Sequence, residues 1–175
     1  MTITVTVILA LVVVQRLVEL AYAERNTRAL LKRGAVEVGR AHYPFIVALH
    51  ALWLLAIVIM LPPNPMIRWS PLALFLMLQA GRIWVIATLG PYWTTRIITL
   101  AGAPLVRSGP YRFVRHPNYL IVAGEIAVLP LVFGEVAVCL VFSVLNAALL
   151  LWRIRQEDAA LSLRRTGDTG ITSMG

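Results

Sequence analysis

The sequence predicts an all-α, polytopic membrane protein of about five transmembrane helices, the last two forming a hairpin. Three observations point there. Of the 175 residues, 59% are hydrophobic and 14% charged, whereas soluble domains are roughly 45–50% apolar. The apolar residues come in long blocks, which suits lipid as the solvent. The basic residues cluster in alternate connections, as they do when one side of a membrane collects them.

Five hydrophobic segments can be read in order. Residues 3–22 form the first. It is too long and too poorly flanked for a cleavable signal peptide, because nothing basic precedes it and no small-residue cleavage site follows. The second, residues 43–61, is closed by Pro62, Pro63 and Pro65. The third, residues 71–89, is closed by Gly90 and Pro91. The fourth, residues 117–133, is short and ends in Gly134-Glu135, a tight turn into the fifth. That last segment, residues 136–152, continues as a polar helix toward Arg165. A helix needs about 20 apolar residues, at roughly 1.5 Å rise each, to cross the hydrocarbon. The fourth therefore reads as one arm of a hairpin, at the limit of a full span. The chain divides into an N-terminal three-helix membrane region (residues 1–89), a C-terminal region of polar loop, helical hairpin and helix extension (residues 90–165) and a Gly/Thr/Ser-rich tail (residues 166–175).

Net charge is +8. The cations flank apolar blocks and form no continuous basic stripe, which argues for a bilayer rather than a nucleic acid partner. Arg25, Arg28, Lys32, Arg33 and Arg40 follow the first segment. Arg96, Arg107, Arg112 and Arg115 follow the third, and Arg153, Arg155, Arg164 and Arg165 follow the fifth. Arg68 is left for the other side. The N-terminus is therefore expected outside and the C-terminus in the cytosol, in a bacterial inner membrane. Cys139 is the only cysteine, so no intramolecular disulfide and no cysteine-based metal site can form.

Polar chemistry concentrates in residues 90–118 and 153–158. In the first stretch, Ser108-Gly109-Pro110 is turn chemistry. Pro117 suits the first position of a helix and biases His116 to an extended conformation. The free N–H groups of that helix start suit an anion, with His116 and Tyr119 beside them. In the second stretch, Arg153 and Glu157 are four residues apart and share a helical face. On physics alone this pair reads equally well as an interfacial anchor. Deep in the third and fourth segments, Arg82 and Glu125 each lie roughly 12 Å below the same interface, so they are expected to pair, with Arg16 and Glu19 as competing partners. His42 and His50 read as interfacial or core side chains.

Arg115-His116-Pro117-Asn118-Tyr119, preceded by Gly109-Pro110-Tyr111 and followed by Arg153-Ile154-Arg155-Gln156-Glu157-Asp158, resembles the isoprenylcysteine carboxyl methyltransferase family. These are integral membrane enzymes that use S-adenosylmethionine, and the resemblance covers about residues 92–161. It implies a cofactor site at Tyr111, His116, Pro117, Asn118, Tyr119 and Glu157, with Ala103, Pro104, Leu105 and Val106 before the turn and a further contact near Arg96. It implies a catalytic pair of Arg153, near the acceptor, and Glu157. Two departures stand out: Glu157-Asp158 replaces the family's paired glutamates, and residues 164–175 lack the family's tail tyrosine. Arg25-Asn26, residues 33–39 and His42-Tyr43-Pro44 resemble short bacterial members, some associated with type III polyketide synthases and methylating hydroxyls of alkylpyrones or alkylresorcinols. The reaction implied is methyl transfer to an oxygen of a lipophilic acceptor, with carboxyl methylation of an isoprenylated cysteine as the alternative. No metal cluster and no Gly-rich strand–helix fingerprint is evident. A non-enzymatic transporter or assembly subunit using Arg82 and Glu125 is the rival of another class.

Overall fold

The computed structural model describes residues 3–103 and 106–169, without the side chains of His42 and of residues 158–169. Five helices account for most of it. They are α1 (Ile3–Lys32), α2 (Tyr43–Met60), α3 (Trp69–Leu89), α4 (Pro117–Val132) and α5 (Val136–Thr169). Among the described residues, α1, α2, α3 and α5 are long and apolar enough to cross a membrane, and α4 is a shorter apolar helix. The 16 residues of α4 span only about 24 Å, less than the roughly 30 Å of hydrocarbon.

Two helices outrun their apolar segments. α1 continues ten residues past Tyr22, because residues 23–32 contain neither glycine nor proline and bury Ala23, Asn26, Thr27 and Leu30. α5 runs to Thr169, so residues 166–169 extend the helix where the sequence predicts the start of the tail. Extending a formed helix is far easier than nucleating one.

The all-α expectation needs one amendment. Val36–Val38 (β1) and Ile97–Thr99 (β2) form a two-stranded antiparallel sheet, with Val36 opposite Thr99 and Val38 opposite Ile97. Strands this short carry no usable alternation. The sheet ties the α1–α2 connection to the α3–α4 connection, so both lie on one face with the polar extension of α5.

α4 is the most enclosed helix and packs against α3 and α5. Its close approach to α3 follows from sequence: Gly124 faces Leu78, and Gly81 faces Ile121. The α4–α5 hairpin turns at Gly134, whose φ of 83° places it in the left-handed region. Gly134 N–H donates to Leu131 O at 3.1 Å and Glu135 N–H to Pro130 O at 3.0 Å, closing the helix end with its own carbonyls. Leu9, Trp53, Ile57, Phe75, Ile126 and Leu129 centre the core. Leu11, Leu17, Val18, Leu52, Met77, Leu140 and Val144 instead face outward, a ring of apolar surface that water would not tolerate.

Arg82 and Glu125 pair as their depth predicts. Arg82 Nε donates to Glu125 Oε1 at 2.8 Å, and Arg82 Nη2 contacts Glu125 Oε2. Arg16 and Glu19 join this pair instead of competing with it. Arg16 bridges Glu19 and Glu125, each at 2.8 Å, and Arg82 Nη1 lies 3.2 Å from Glu19. Gln79 donates to Glu125 at 2.8 Å. Two cations and two anions thus form one neutral network joining α1, α3 and α4.

Candidate active site

The α3–α4 connection is anchored before it reaches the site. The Asn26 amide, buried on α1, donates to Trp93 O at 2.9 Å and Gly90 O at 3.1 Å. Trp93 stacks on Tyr22, with ring centroids 5.9 Å apart. Arg96 reaches Glu37 at 3.3 Å and Glu24 at 3.6 Å, and lies 4.9 Å over the Tyr43 ring. The loop is therefore held from α1, β1 and α2 together.

At the start of α4, Pro117 occupies the first turn and His116 precedes it with non-helical backbone. The His116 and Tyr119 rings stack at 5.2 Å. Tyr119 Oη donates to Glu157 Oε2 and accepts from Arg153 Nε at 2.8 Å. One phenol therefore links the guanidinium to the carboxylate across α4 and α5. His116 Nδ1 lies 3.8 Å from Glu157 Oε2. Among the described residues, no carboxylate lies within ion-pair distance of Arg153, which is itself buried. Tyr111 is half-buried. Burial, and secondarily the Glu157 carboxylate, push its phenol up to about 12, so it remains a protonated donor.

Two cavities meet here. The first, about 200 Å³, is lined by Tyr92, Arg96, Tyr111, Arg115, His116 and Glu157. The second, about 270 Å³, runs down between α1, α2 and α5 and is mostly apolar. Trp93, Thr94, Asn118, Tyr119 and Arg153 line both. Val13, Leu17, Val47 and Ala51 line the second cavity and are also exposed, so it opens sideways between α1 and α2.

The structure thus gathers Arg96, Tyr111, His116, Asn118, Tyr119, Arg153 and Glu157 in one place. Pro117 is buried at the helix start and lines neither cavity, and Ala103 and Val106 line neither. Pro104 and Leu105 lie outside the described residues. Sequence reasoning missed Trp93 and Thr94, which stand in a loop with no motif to single them out.

Residues 71–163 match the isoprenylcysteine carboxyl methyltransferase family. The chain belongs to that family. It is therefore a membrane methyltransferase, and the family's methyl donor is S-adenosylmethionine. An uncharacterized protein of Bacillus subtilis, YpbQ, is 39% identical over 158 residues, covering 88% of this chain and 94% of its own. An uncharacterized protein of Haemophilus influenzae is 28% identical over 152 residues, covering 84% and 88%. No solved structure matches.

The first cavity fits the family's cofactor by the chemistry of its walls. Tyr92, Trp93 and Tyr111 offer aromatic faces, and Glu157 offers a carboxylate for hydroxyl or ammonium groups. Asn118 Oδ1 is buried, and Asn118 lines the cavity; among the described residues this oxygen has no hydrogen-bond partner. An unpaired buried acceptor is costly, and a donor on the ligand would satisfy it.

Gly109 holds the Tyr111 turn in place. Its φ is 56°, and an added Cβ would overlap Thr88 Oγ1, which is fixed by a 2.8 Å bond to Trp84 O. Gly109→Ala is expected to weaken S-adenosylhomocysteine binding by about tenfold, through strain and displacement of the turn. Calorimetry in detergent reads the change; wild-type affinity would mean the turn does not position the site.

Proposed function

We propose that this methyltransferase moves a methyl group from S-adenosylmethionine to an oxygen of a lipophilic acceptor, of the alkylpyrone or alkylresorcinol polyketide type. The junction of the two cavities at Tyr119 and Arg153 carries this reading. A polar cavity with a carboxylate meets an apolar one open between two lipid-facing helices, so a water-soluble donor and a membrane-dissolved acceptor can meet without either crossing the other's solvent.

When bound by Tyr92, Trp93, Tyr111 and Glu157, S-adenosylmethionine would supply a sulfonium methyl to the acceptor oxygen, with S-adenosylhomocysteine as the leaving group. The protein's share is positioning and water exclusion. Arg153, with no carboxylate partner among the described residues, holds the acceptor oxygen as an anion. Tyr119 fixes the Arg153 fork by accepting from Nε and connects it to Glu157, which accepts polar groups of the donor. For a hydroxyl acceptor, the proton leaves toward this Tyr119–Glu157 pair. The Arg153 guanidinium at the junction suits a carboxylate as well, which keeps carboxyl methylation of an isoprenylated cysteine as the second reading.

The basic face carries the donor cavity, and we place it in the cytosol, with the N-terminus outside, in a bacterial inner membrane. One experiment tests both statements. Membrane vesicles holding the protein are supplied with S-adenosylmethionine and either an alkylresorcinol, an alkylpyrone or farnesylcysteine. Inside-out vesicles are expected to methylate the first two, and sealed right-side-out vesicles neither. Exclusive methylation of farnesylcysteine would sink the acceptor reading, and activity confined to right-side-out vesicles would sink the orientation.

A further inference from the structure

The second cavity does not end in apolar side chains. On α2, His50 lies seven residues beyond Tyr43, and on α5, Asn146 lies seven residues before Arg153; both are about 10 Å deeper than the junction. Both line the cavity, as do Trp53 and Arg16. A simple amphiphile, with one polar head and an apolar tail, would leave its tail against these groups.

Each of the four has unused hydrogen-bonding capacity. His50 Nδ1 lies 2.8 Å from Ile46 O. A carbonyl can only accept, so Nδ1 carries the hydrogen and Nε2 of the neutral ring is left as an acceptor. Trp53 is fully buried, and its indole N–H has no partner among the described residues. Its ring stands edge-on to His50, with centroids 6.3 Å apart. Arg16 Nε is likewise buried, with no partner among the described residues. Asn146 is 3% exposed, and no hydrogen bond of its amide to another described residue is found. Unpaired buried polar groups are rare and costly, and several around one cavity point to a ligand that completes them.

Charge narrows the ligand further. The guanidinium of Arg16 belongs to the network with Glu19, Arg82 and Glu125, whose two positive and two negative charges cancel. The deep end therefore offers donors and an acceptor without net charge. Arg153 at the junction has no carboxylate within ion-pair distance among the described residues.

We infer that the deep end is a second polar subsite for a neutral hydroxyl of the acceptor. That hydroxyl donates to His50 Nε2 and accepts from the Trp53 indole N–H, making His50 and Trp53 specificity-determining residues. The acceptor then carries two oxygens: the one methylated beside Arg153 and a neutral one held in the bilayer interior. Its apolar chain leaves sideways between α1 and α2, past Leu17 and Val47. The inference rests on the proposed transfer to a lipophilic acceptor.

The test compares an alkylphenol bearing a side-chain hydroxyl about 10 Å from its phenolic oxygen with the same alkylphenol lacking that hydroxyl. Equilibrium binding of each is measured in nanodiscs without S-adenosylmethionine, for wild type, His50→Leu and Trp53→Phe. Wild type is expected to favour the hydroxylated compound by about tenfold, and each variant to reduce that preference to about twofold. S-adenosylhomocysteine binding in the other cavity reports that the variants are folded, and Trp53→Phe keeps the bulk if His50→Leu does not fold. No preference in the wild type, or a preference surviving in the folded variants, overturns the subsite. The methyl-transfer reading fails separately, if neither compound is methylated once the donor is added.

Discussion

Glu125→Ala is expected to lower stability by about 3–5 kcal/mol, and Glu125→Ala combined with Arg82→Ala by clearly less. The reason is charge balance at depth. Glu125 and Arg82 are both almost fully buried, and Glu125 is bonded to Arg82, Arg16 and Gln79 at once. Removing Glu125 alone leaves two guanidinium groups with one carboxylate, Glu19, in surroundings that cannot solvate the excess charge. Removing Arg82 as well leaves Arg16 and Glu19, a 2.8 Å pair three residues apart on α1, with no excess charge. Denaturation in mixed micelles measures the difference. A double variant at least as unstable as the single one would show that the network acts as packing rather than as balanced charge. Either way the consequence extends to the site, because Glu125 lies six residues after Tyr119 on α4. The network sets α4 against α1 and α3, and with it the phenol that joins Arg153 to Glu157.

How much of this was legible depended on the kind of signal each residue leaves. Long apolar blocks mark helices wherever they lie, so all five were readable, as were the hairpin at Gly134 and the helix start at Pro117. The pairing of Arg82 with Glu125 was readable because depth along a helix is a count of residues. The convergence of Arg153 and Glu157 followed from their spacing, and the structure adds Tyr119 as the group that holds both. Arg16 and Glu19 could be named but not placed, since sequence gives their depth and not which face of α1 meets α3. The β1–β2 pairing was invisible: it depends on two loops meeting, and three-residue strands carry no period. The bond from Asn26 to the Trp93 loop was hidden for the same reason. His50, Trp53 and Asn146 stand singly inside apolar blocks, where such residues usually belong to a core. Only the cavity sets them apart. Ala103 and Val106, placed by resemblance alone, fall outside both cavities.

Arg153→Ala is expected to cut turnover by about 10²–10³-fold while leaving S-adenosylhomocysteine affinity within a few-fold of wild type. Glu157→Ala is expected to weaken that affinity by about tenfold or more, and to lower turnover as well through loss of the proton acceptor. The two residues are neighbours on α5 and bond to the same phenolic oxygen, so a purely structural role would make the variants alike. The cavities separate them. Arg153 lines both and Glu157 only the donor side. A cation at the junction gains strength as the acceptor oxygen becomes anionic, which places its effect in turnover. A carboxylate on the donor side also acts before reaction, which adds an effect on binding that Arg153→Ala lacks. Arg153→Lys sharpens the test. It keeps the charge but loses the planar fork whose Nε donates to Tyr119 at 2.8 Å, so it is expected to recover only part of the turnover. Tyr119→Phe removes the link itself and is expected to affect both measurements, since it frees the guanidinium and the carboxylate together. Isothermal calorimetry for the product and single-turnover rates for the reaction give the two readouts independently. Near-normal values for Arg153→Ala and Glu157→Ala in both would return the pair to an interfacial anchor and move the reaction elsewhere in the chain.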